Sequence, residues 1–298
     1  MTLRLLRIKN LMTKANIKND NWTMVISPQS NLFSLQLDDI WRYKDLLYLF
    51  VRRDFVATYK QTILGPTWFF IQPILTTITY TIIFGNVAGL STDGLPKIVF
   101  YLSGVVCWSY FAECITTISS TFITNAQVFG KVYFPRLIAP LSVVISKLIK
   151  LGIQFLLFIV VLFYYIFFED TVVNPNIYML LAPFLVIIMG ALGLGLGLLI
   201  SSLTTKYRDM RFLITFGVQL LMYGTPVIYP LSEVPEKYRL LVTMNPISPI
   251  IETFRYGFLG SGTFSTYHLV YSLTFTIVAL ILGILVFNRV EKTFMDSV

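Results

Sequence analysis

Long stretches without a charged residue are the feature that most constrains this chain. Between Lys60 and Asp93 the sequence has no Asp, Glu, Lys or Arg, and between Lys97 and Lys131 it has only Glu113. About 20 predominantly apolar residues are enough to cross the hydrocarbon core of a bilayer as a helix. The whole chain is 13% charged, against about 25% in a soluble domain. The sequence therefore predicts an integral membrane protein rather than a soluble globule.

Six apolar segments are predicted to span the membrane as helices. A helix satisfies its own backbone hydrogen bonds in lipid, and the segments lack the polar and apolar alternation of barrel strands. The predicted fold class is therefore an all-α integral membrane protein with six transmembrane helices. The spans are expected near residues 66–88, 98–120, 137–168, 177–203, 212–229 and 267–287.

The distribution of basic residues predicts the orientation. With six spans in a bilayer, 19 of the 23 Lys and Arg residues fall on the side that holds both termini. Basic loops are retained in the cytoplasm, so both termini are predicted to be cytoplasmic. Because this orientation accounts for much of the net charge of +8, the charge gives no reason to expect a nucleic-acid partner.

The segments outside the spans divide the chain further. Residues 1–38 form a polar cytoplasmic N-terminal extension. Residues 39–65 contain a helix with apolar residues on one side and basic residues on the other, which is typical of an amphipathic helix lying in the cytoplasmic interface. Residues 66–298 hold the six spans. Between spans five and six, an apolar segment broken by prolines carries Glu252 and Arg255 at helical spacing, and it predicts a pair of short re-entrant helices.

The sequence offers no set of residues for catalysis or metal binding. Its single histidine, His268, excludes a histidine pair for a metal and leaves no Ser/His/Asp set. No phosphate-binding G-x-x-x-x-G-K-[ST] motif occurs, so the chain itself is not expected to bind ATP. Gly193, Gly195 and Gly197 lie within span four, where such spacing predicts close helix packing.

Two residues of span two are candidates for the lining of a transport pathway. Glu113 is the one carboxylate inside a predicted span, and an acid within the membrane is by default a functional candidate. No other charge is expected to pair with Glu113 at depth. Trp108 belongs either to a headgroup belt of aromatic residues or to the lining of a glycan pore, since aromatic rings also stack on sugars. The sequence leaves these alternatives open.

Several sequence motifs resemble those of a known protein family, and this resemblance implies a function that composition alone could not indicate. The segment from Trp41 to Pro66, followed by Gln72 and Pro73, resembles the opening of type 2 ABC exporter permeases for polysaccharides. The sequence Lys-Val-Tyr-Phe-Pro-Arg at 131–136 is similar to the cytoplasmic loop of that family before span three. Further matches are Tyr-Arg-Asp-Met-Arg at 207–211, Thr-Pro-Val-Ile-Tyr-Pro at 225–230 and Asn-Pro at 245–246.

The resemblance implies a transport subunit and its partners. Family members form homodimers around a polysaccharide channel, and each associates with a separate ATPase that binds ATP and Mg²⁺, with two ATPase subunits per complex. The implied cargo is a lipid-linked polysaccharide, with O-antigen of a Gram-negative bacterium first, and capsular polysaccharide and teichoic acid behind it. The implied location is the bacterial inner membrane, in contact with its lipids. The competing hypothesis is a proton-driven flippase for lipid-linked glycans that uses Glu113.

The resemblance also assigns roles to residues. The ATPase-coupling helix would consist of Lys131, Val132, Tyr133, Phe134, Pro135 and Arg136. Within it, Tyr133 and Phe134 would be anchors in a cleft of the ATPase, and Arg136 would be a charge contact. A cytoplasmic gate helix would receive an anionic pyrophosphate-lipid headgroup with Arg42, Arg52, Arg53, Tyr59 and Lys60. An outer gate would include Asn245, Pro246, Glu252 and Arg255. Glu113 and Trp108 are kept as possible pore residues, with their alternatives open.

Overall fold

The structure, a computed structural model, describes residues 37–60, 62–132, 134–169, 173–207 and 209–294, with side chains from residue 39 to 291. Every regular element in those ranges is a helix. Five helices are long and apolar enough to cross a membrane: Gly65–Val87, Lys97–Ser119, Ile138–Phe168, Ile177–Lys206 and Thr266–Glu291. The prediction of an all-α, multi-pass membrane protein is therefore confirmed.

The longer helices are labelled here in chain order. They are α1 (Leu37–Arg42), α2 (Lys44–Tyr59), α3 (Trp68–Tyr80), α4 (Lys97–Ser119), α5 (Ile138–Phe168), α6 (Ala182–Lys206), α7 (Met210–Tyr223), α8 (Glu236–Met244), α9 (Ser248–Leu259) and α10 (Thr266–Phe294). Short 3-10 helices, Gly65–Thr67 and Ile177–Leu181, lead into α3 and α6, and the π-helix Thr81–Val87 continues α3. Single turns lie at Thr121–Thr124, Ala126–Phe129 and Leu231–Glu233.

The fifth predicted span is shorter as a helix than expected. The sequence predicts a helix over residues 212–229, but α7 ends at Tyr223. Its 14 residues make it ~21 Å long, short of a hydrocarbon core of ~30 Å. Gly224 follows the helix, and Pro226 and Pro230 occupy an irregular segment, because proline lacks the N–H that a helix needs. The apolar segment was predicted correctly, and its helical length was overestimated.

Helix α4 lies at the centre of the bundle. It packs against α3, α5, α6, α7 and α9. Most of its residues are buried, among them Phe100, Phe111 and Ile118. Because lipid tails are as apolar as these side chains, close van der Waals packing rather than the hydrophobic effect stabilises contacts between such helices.

Glycines let α6 approach two neighbouring helices closely. A Cβ at Gly195 would lie 2.7 Å from the backbone nitrogen of Leu280 in α10, and a Cβ at Gly283 would lie 2.5 Å from the carbonyl oxygen of Gly195. A Cβ at Gly193 or Gly197 would meet side chains of α4 at 2.7 Å. No larger residue fits at these crossings without a backbone shift. The packing role predicted for the glycines of span four is confirmed.

The predicted interfacial helix consists of α1 and α2, which meet at Tyr43. Helix α2 packs on the start of α5, where Phe50 and Val51 are buried. Asp54 of α2 accepts a hydrogen bond from the Ser142 hydroxyl of α5 (3.2 Å). Apolar side chains thus attach α2 to the bundle, as the amphipathic pattern predicts. The end of the bundle where α2 meets the start of α5 is called the α2 end below.

Two short helices, α8 and α9, lie where the sequence predicts a re-entrant pair, and they differ in burial. No residue of α8 is buried, whereas every residue of α9 except Tyr256 is. Helix α9 packs against Ile177–Leu181, α4 and α10, and its rings contact Phe155 and Phe158 in the second half of α5. This is the α9 end of the bundle. The depth of the pair in a membrane stays a prediction.

Candidate functional site

A cavity of about 150 Å³, lined by apolar and polar side chains, lies between α3, α4, α5 and α7. On its wall, Ser109 donates a hydrogen bond to Oε1 of Gln154 (2.9 Å), and the Tyr80 hydroxyl contacts Sδ of Met222 (3.3 Å). The remaining lining residues are Gln72, Pro73, Thr76, Val105, Trp108 and Val227. Amide and hydroxyl groups that can bond to sugar hydroxyls thus stand beside aromatic rings that can stack on sugar rings.

Trp108 lies in the wall of this cavity. It is the twelfth of the 23 residues of α4, and its ring is tilted against that of Phe111, with centroids 5.5 Å apart. A residue of a headgroup belt lies near a helix end instead. Whether Trp108 belongs to a belt or lines a pore stays a prediction, and its place in the middle of α4 favours the pore lining.

Glu113 belongs to a cluster of charged side chains on the α2 side of the cavity. Its Oε2 lies 3.0 Å from Nζ of Lys147, and its Oε1 accepts a hydrogen bond from Lys150. Lys150 also donates to Oε1 of Gln72 (3.2 Å), which lines the cavity. The expectation that no other charge pairs with Glu113 at depth is therefore wrong. One carboxylate and two ammonium groups give the cluster a net charge of +1.

The two lysines escaped the sequence analysis because they lie more than 30 residues beyond Glu113, on another helix. One signal does point to them. Lys147, Lys150 and Gln154 recur at intervals of three and four, which places them on one face of α5. On α4, Ser109 and Glu113 are likewise four residues apart. The two helices run antiparallel, so Glu113 meets the lysines and Ser109 meets Gln154.

Arg255 is buried at the α9 end, where it is 1% exposed. Its guanidinium donates hydrogen bonds to the carbonyl oxygens of Pro226 and Val227 and to Oγ of Ser103. Its Cζ lies 3.8 Å from the centroid of the Phe100 ring. Burial lowers the pKa of Arg255 to about 10. Arg255 thus joins three parts of the fold: α9, α4 and the segment after α7.

Glu252 is buried beside Arg255. Its Oε1 lies 3.7 Å from Nη1 of Arg255, and its Oε2 accepts hydrogen bonds from the N–H (3.0 Å) and the hydroxyl (3.3 Å) of Thr263. Burial raises the pKa of the Glu252 carboxyl, and the charge of Arg255 and the bonds from Thr263 offset part of that rise. The pair expected from helical spacing is therefore present.

A second cavity of about 530 Å³ opens beside this pair. Asp93, Asn174, Ser232 and Glu252 contribute polar groups to its lining. Across the described ranges of the chain, no three His, Cys, Asp or Glu side chains come together to hold a metal ion.

Asn245 and Pro246 form the connection between α8 and α9. Asn245 donates a hydrogen bond to Oγ1 of Thr225 (2.7 Å) and accepts one from the N–H of Ile247 (3.2 Å). The connection is therefore tied to the residues that follow α7. The structure brings the four residues of the predicted outer gate to the α9 end, and their role as a gate stays a prediction.

The residues of the predicted gate helix lie at the α2 end and differ in their freedom. The exposed members are Arg42, Arg52, Arg53 and Lys60. Arg53 is held in place, because it contacts Oδ1 of Asp54 (2.8 Å) and donates to Oδ1 of Asn125 (3.2 Å). Tyr59 is half-buried. Four of the five residues therefore present basic groups to the surroundings, and Arg53 is the one of these four that also bonds to Asp54 and Asn125.

The segment predicted to couple to an ATPase presents one exposed part. Lys131 and Val132 are exposed, and the fractional exposure of Val132 is 58%. Pro135 is half-buried. Tyr133 lies outside the described residues. Within the described part of this segment, Lys131 and Val132 are therefore the side chains that a partner can reach.

Phe134 and Arg136 face the interior of the chain instead. The Phe134 ring meets the Phe50 ring of α2 edge to face, with centroids 5.6 Å apart. Arg136 donates a hydrogen bond to the carbonyl oxygen of Glu291 (2.7 Å) and lies 3.6 Å from its carboxylate. The roles expected of Phe134 as an anchor in an ATPase cleft and of Arg136 as a charge contact there stay predictions. Both side chains are already engaged within their own bundle.

Known proteins are similar in sequence to this chain along most of its length. The profile of the ABC-2 type transporter family matches residues 45–259. An O-antigen export system permease protein RfbA of Klebsiella pneumoniae is 30% identical over 254 residues, which cover 85% of this chain and 94% of that protein. The inner membrane transport permease YadH of Escherichia coli K12 is 28% identical over 64% of this chain and 75% of that protein. The polysialic acid transport protein KpsM of Escherichia coli is 22% identical over 78% of this chain and 89% of that protein.

The region that matches the family profile covers the helices from α2 to α9. It begins at the second residue of α2 and ends with the last residue of α9, so it includes the cavity, the charged cluster and the buried Arg255. These relatives are named as transport permeases or transport proteins. The profile covers more than half of the sequence, and the chain therefore belongs to the ABC-2 type transporter family.

Proposed function

We propose that the chain is the permease subunit of an ATP-driven exporter that moves a lipid-linked polysaccharide, O-antigen first, across the bacterial cytoplasmic membrane. The similarity to O-antigen export permeases over as much as 94% of a relative's length carries the proposal. The cavity of amide groups and aromatic rings is in keeping with a sugar cargo. Both termini lie in the cytoplasm, as the distribution of basic residues favours, and the α2 end then faces the cytoplasm.

Two copies of the chain form the pathway. The cavity of one copy, about 150 Å³, is flanked by α3 and α7, whose outward faces are apolar and uncovered. These faces include Ile74, Leu75 and Ile78 of α3, and Phe212, Leu213 and Phe216 of α7. A second copy that faces α3 and α7 would cover them and would turn two small cavities into one continuous passage.

The cargo enters at the α2 end. Arg42, Arg52 and Lys60 are exposed there, and they receive the diphosphate of the lipid carrier. Guanidinium groups suit this task because they form charge-assisted, bidentate hydrogen bonds with phosphate. Arg53 has a different task, since its hydrogen bond to Asn125 ties α2 to the turns between α4 and α5.

A separate ATPase drives transport through Lys131 and Val132. Displacement of this segment reaches α2 directly, because Phe134 packs against Phe50. The segment therefore transmits movement through a buried aromatic contact rather than through the side chains that touch the ATPase. At the other end, Arg255 connects α9 to the residues after α7, so movement of α7 changes the outer gate.

Capsular polysaccharide is the second candidate cargo, because the relative named as a polysialic acid transport protein is 22% identical over 89% of its length. A proton-driven flippase is less well supported. Both carboxylate oxygens of Glu113 contact lysine ammonium groups, which is the arrangement of a fixed ion cluster and not of an isolated proton-binding acid.

The test is export of O-antigen and capsule in a bacterium that lacks its own O-antigen and capsule export permeases. The tagged chain is produced there, purified from the membrane, and assayed for bound partners and ATP hydrolysis, while O-antigen and capsule are measured at the cell surface. We expect a stoichiometric ATPase and restored O-antigen. A stable complex without a nucleotide-binding partner would refute the exporter class. An ATPase complex that restores capsule and no O-antigen would establish the second cargo.

The proposed ATPase contact has its own test. Lys131→Glu combined with Val132→Asp should release the ATPase and leave thermal stability unchanged, because both side chains are exposed. Lys237→Glu combined with Tyr238→Asp makes a matched change on the exposed helix α8, and it should leave the ATPase bound. Retention of the ATPase by the first variant would show that the contact lies elsewhere.

A further inference from the structure

The cluster of Glu113, Lys147 and Lys150 holds an unbalanced positive charge inside the bundle. The exposed fractions of the three side chains are 24%, 21% and 11%, so the cluster reaches a surface while it is largely removed from water. In the part of the chain that the structure describes, Glu113 is the acid that forms ion pairs with the two lysines. A net charge in such surroundings is costly unless an opposite charge can approach it.

The two lysines differ in how firmly they are held. Lys150 donates to Glu113 and to Gln72, and its Nζ lies 5.9 Å from the centroid of the Phe69 ring. Lys147 has three N–H donors and contacts Oε2 of Glu113. Lys150 is therefore fixed, while Lys147 retains donors for a further acceptor.

The cluster lies between α2 and the cavity of about 150 Å³. Ser142 of α5 bonds to Asp54 of α2, and Gln154 of α5 lines the cavity. Lys147 and Lys150 fall between these two points, ~7.5 Å and ~12 Å beyond Ser142 at 1.5 Å per residue. A group that moves from α2 towards the cavity therefore passes both lysines.

We propose that this cluster is an oxyanion site that binds a phosphate or diphosphate group. Lys147 and Lys150 supply the positive charge, and Gln72, whose oxygen accepts from Lys150, adds an amide NH₂ group. Glu113 holds the two ammonium groups at a fixed spacing and limits the affinity, so that the anion can leave again. The presence of a lipid-linked phosphate on this path rests on the proposed function, whereas the site itself rests on the cluster.

Substitutions of Glu113 and of Lys147 change the net charge of the cluster in opposite directions, so the proposal predicts opposite changes in affinity for an anion. Glu113→Gln raises the net charge of the cluster from +1 to +2, so it should tighten the binding of an anion. Lys147→Gln lowers the net charge to zero, so it should weaken binding. If the cluster served only to hold helices together, both substitutions would act in the same direction, since each removes the same ion pair.

The experiment is a titration of the full chain in phosphatidylcholine nanodiscs with inorganic pyrophosphate. We expect Glu113→Gln to bind at least about tenfold more tightly than the unmodified chain, and Lys147→Gln at least about tenfold more weakly. Lys147→Arg keeps the charge and should bind within about threefold of the unmodified chain. Lys237→Gln removes an exposed lysine of α8 as the matched control and should change nothing. Thermal unfolding of each variant separates loss of binding from loss of fold.

Two results would overturn the proposal: no pyrophosphate binding by the unmodified chain, or a shift of affinity in the same direction for Glu113→Gln and Lys147→Gln. The source of the anion is decided by competition. If phosphatidylglycerol in the discs displaces pyrophosphate, the natural anion is an ordinary membrane lipid headgroup. If only a polyisoprenyl diphosphate displaces pyrophosphate, the natural anion is the lipid carrier. Displacement by either lipid supports the oxyanion site. These titrations need neither ATP nor glycan, so the site and the export function can fail independently.

Discussion

Replacing Arg255 with methionine tests whether one buried cation holds the α9 end together. The substitution keeps an apolar stem of similar length, and it removes the hydrogen bonds to Pro226, Val227 and Ser103. It also leaves Glu252 buried without a counter-charge. Removing one partner of a buried ion pair costs about 3–5 kcal/mol. At about 2–4 °C per kcal/mol for a large domain, the midpoint of thermal unfolding should fall by roughly 6–20 °C.

A second substitution shows how much of that loss comes from Glu252. Glu252→Gln removes the uncompensated charge, so the double variant should be more stable than Arg255→Met alone by about 1–3 kcal/mol. Arg255→Lys should give an intermediate loss. Lysine keeps the charge, but its single ammonium group cannot match the fork that serves two neighbouring carbonyl groups and a hydroxyl.

The assay is thermal unfolding in detergent, followed by intrinsic tryptophan fluorescence and by the fraction of monodisperse protein after heating. Arg239→Met, on the exposed face of α8, is the control and should change stability by less than about 0.5 kcal/mol. Two outcomes would refute the reasoning. One is an Arg255→Met midpoint within about 2 °C of the control. The other is a double variant whose loss equals the sum of the two single losses.

Three further substitutions have expected results. Gly195→Ala places a Cβ against the backbone of α10, so the free energy of unfolding should fall by about 1–3 kcal/mol. Gly152→Ala, on an open face of α5, is the control and should raise the free energy of unfolding by up to ~1 kcal/mol. Equal midpoints of thermal unfolding for the two variants would contradict the close crossing of α6 and α10. Phe134→Ala opens a cavity beneath α2, so the free energy of unfolding should fall by about 3–5 kcal/mol. Proteolysis within residues 37–60 should become faster, and an unchanged cleavage rate would argue against the packing of Phe134 on Phe50. Glu291→Gln removes a part-exposed ion pair and keeps the carbonyl oxygen that accepts from Arg136, so the free energy of unfolding should fall by less than about 1 kcal/mol. A larger fall in thermal unfolding would show that the ion pair stabilises more than its exposure suggests.

Features that depend on local sequence were predictable. The second span, expected over residues 98–120, corresponds to Lys97–Ser119, and the third, expected over 137–168, corresponds to Ile138–Phe168. Each lies in an apolar run that begins just after a basic residue, Lys97 or Arg136. Glu252 and Arg255 were paired correctly because they are three residues apart on one helix.

Features that depend on how helices pack were not predictable. The pairing of Glu113 with Lys147 depends on the register of α4 against α5, which no local pattern contains. The direction of Phe134 depends on α2, since its ring packs against Phe50 of that helix. The length of α7 depended on Gly224, because a glycine inside an apolar run is compatible either with a continuing helix or with its end.

The central position of α4 limits which helices can move during export. A helix covered on five sides by α3, α5, α6, α7 and α9 cannot turn or slide without breaking contacts in every direction. Helices α3 and α7 each keep one uncovered face, and each ends in a segment that departs from α-helical geometry, the π-helix Thr81–Val87 and the irregular residues after Gly224. We therefore expect α4 to keep its place in any rearrangement of the bundle, and α3 and α7 to be the helices that move.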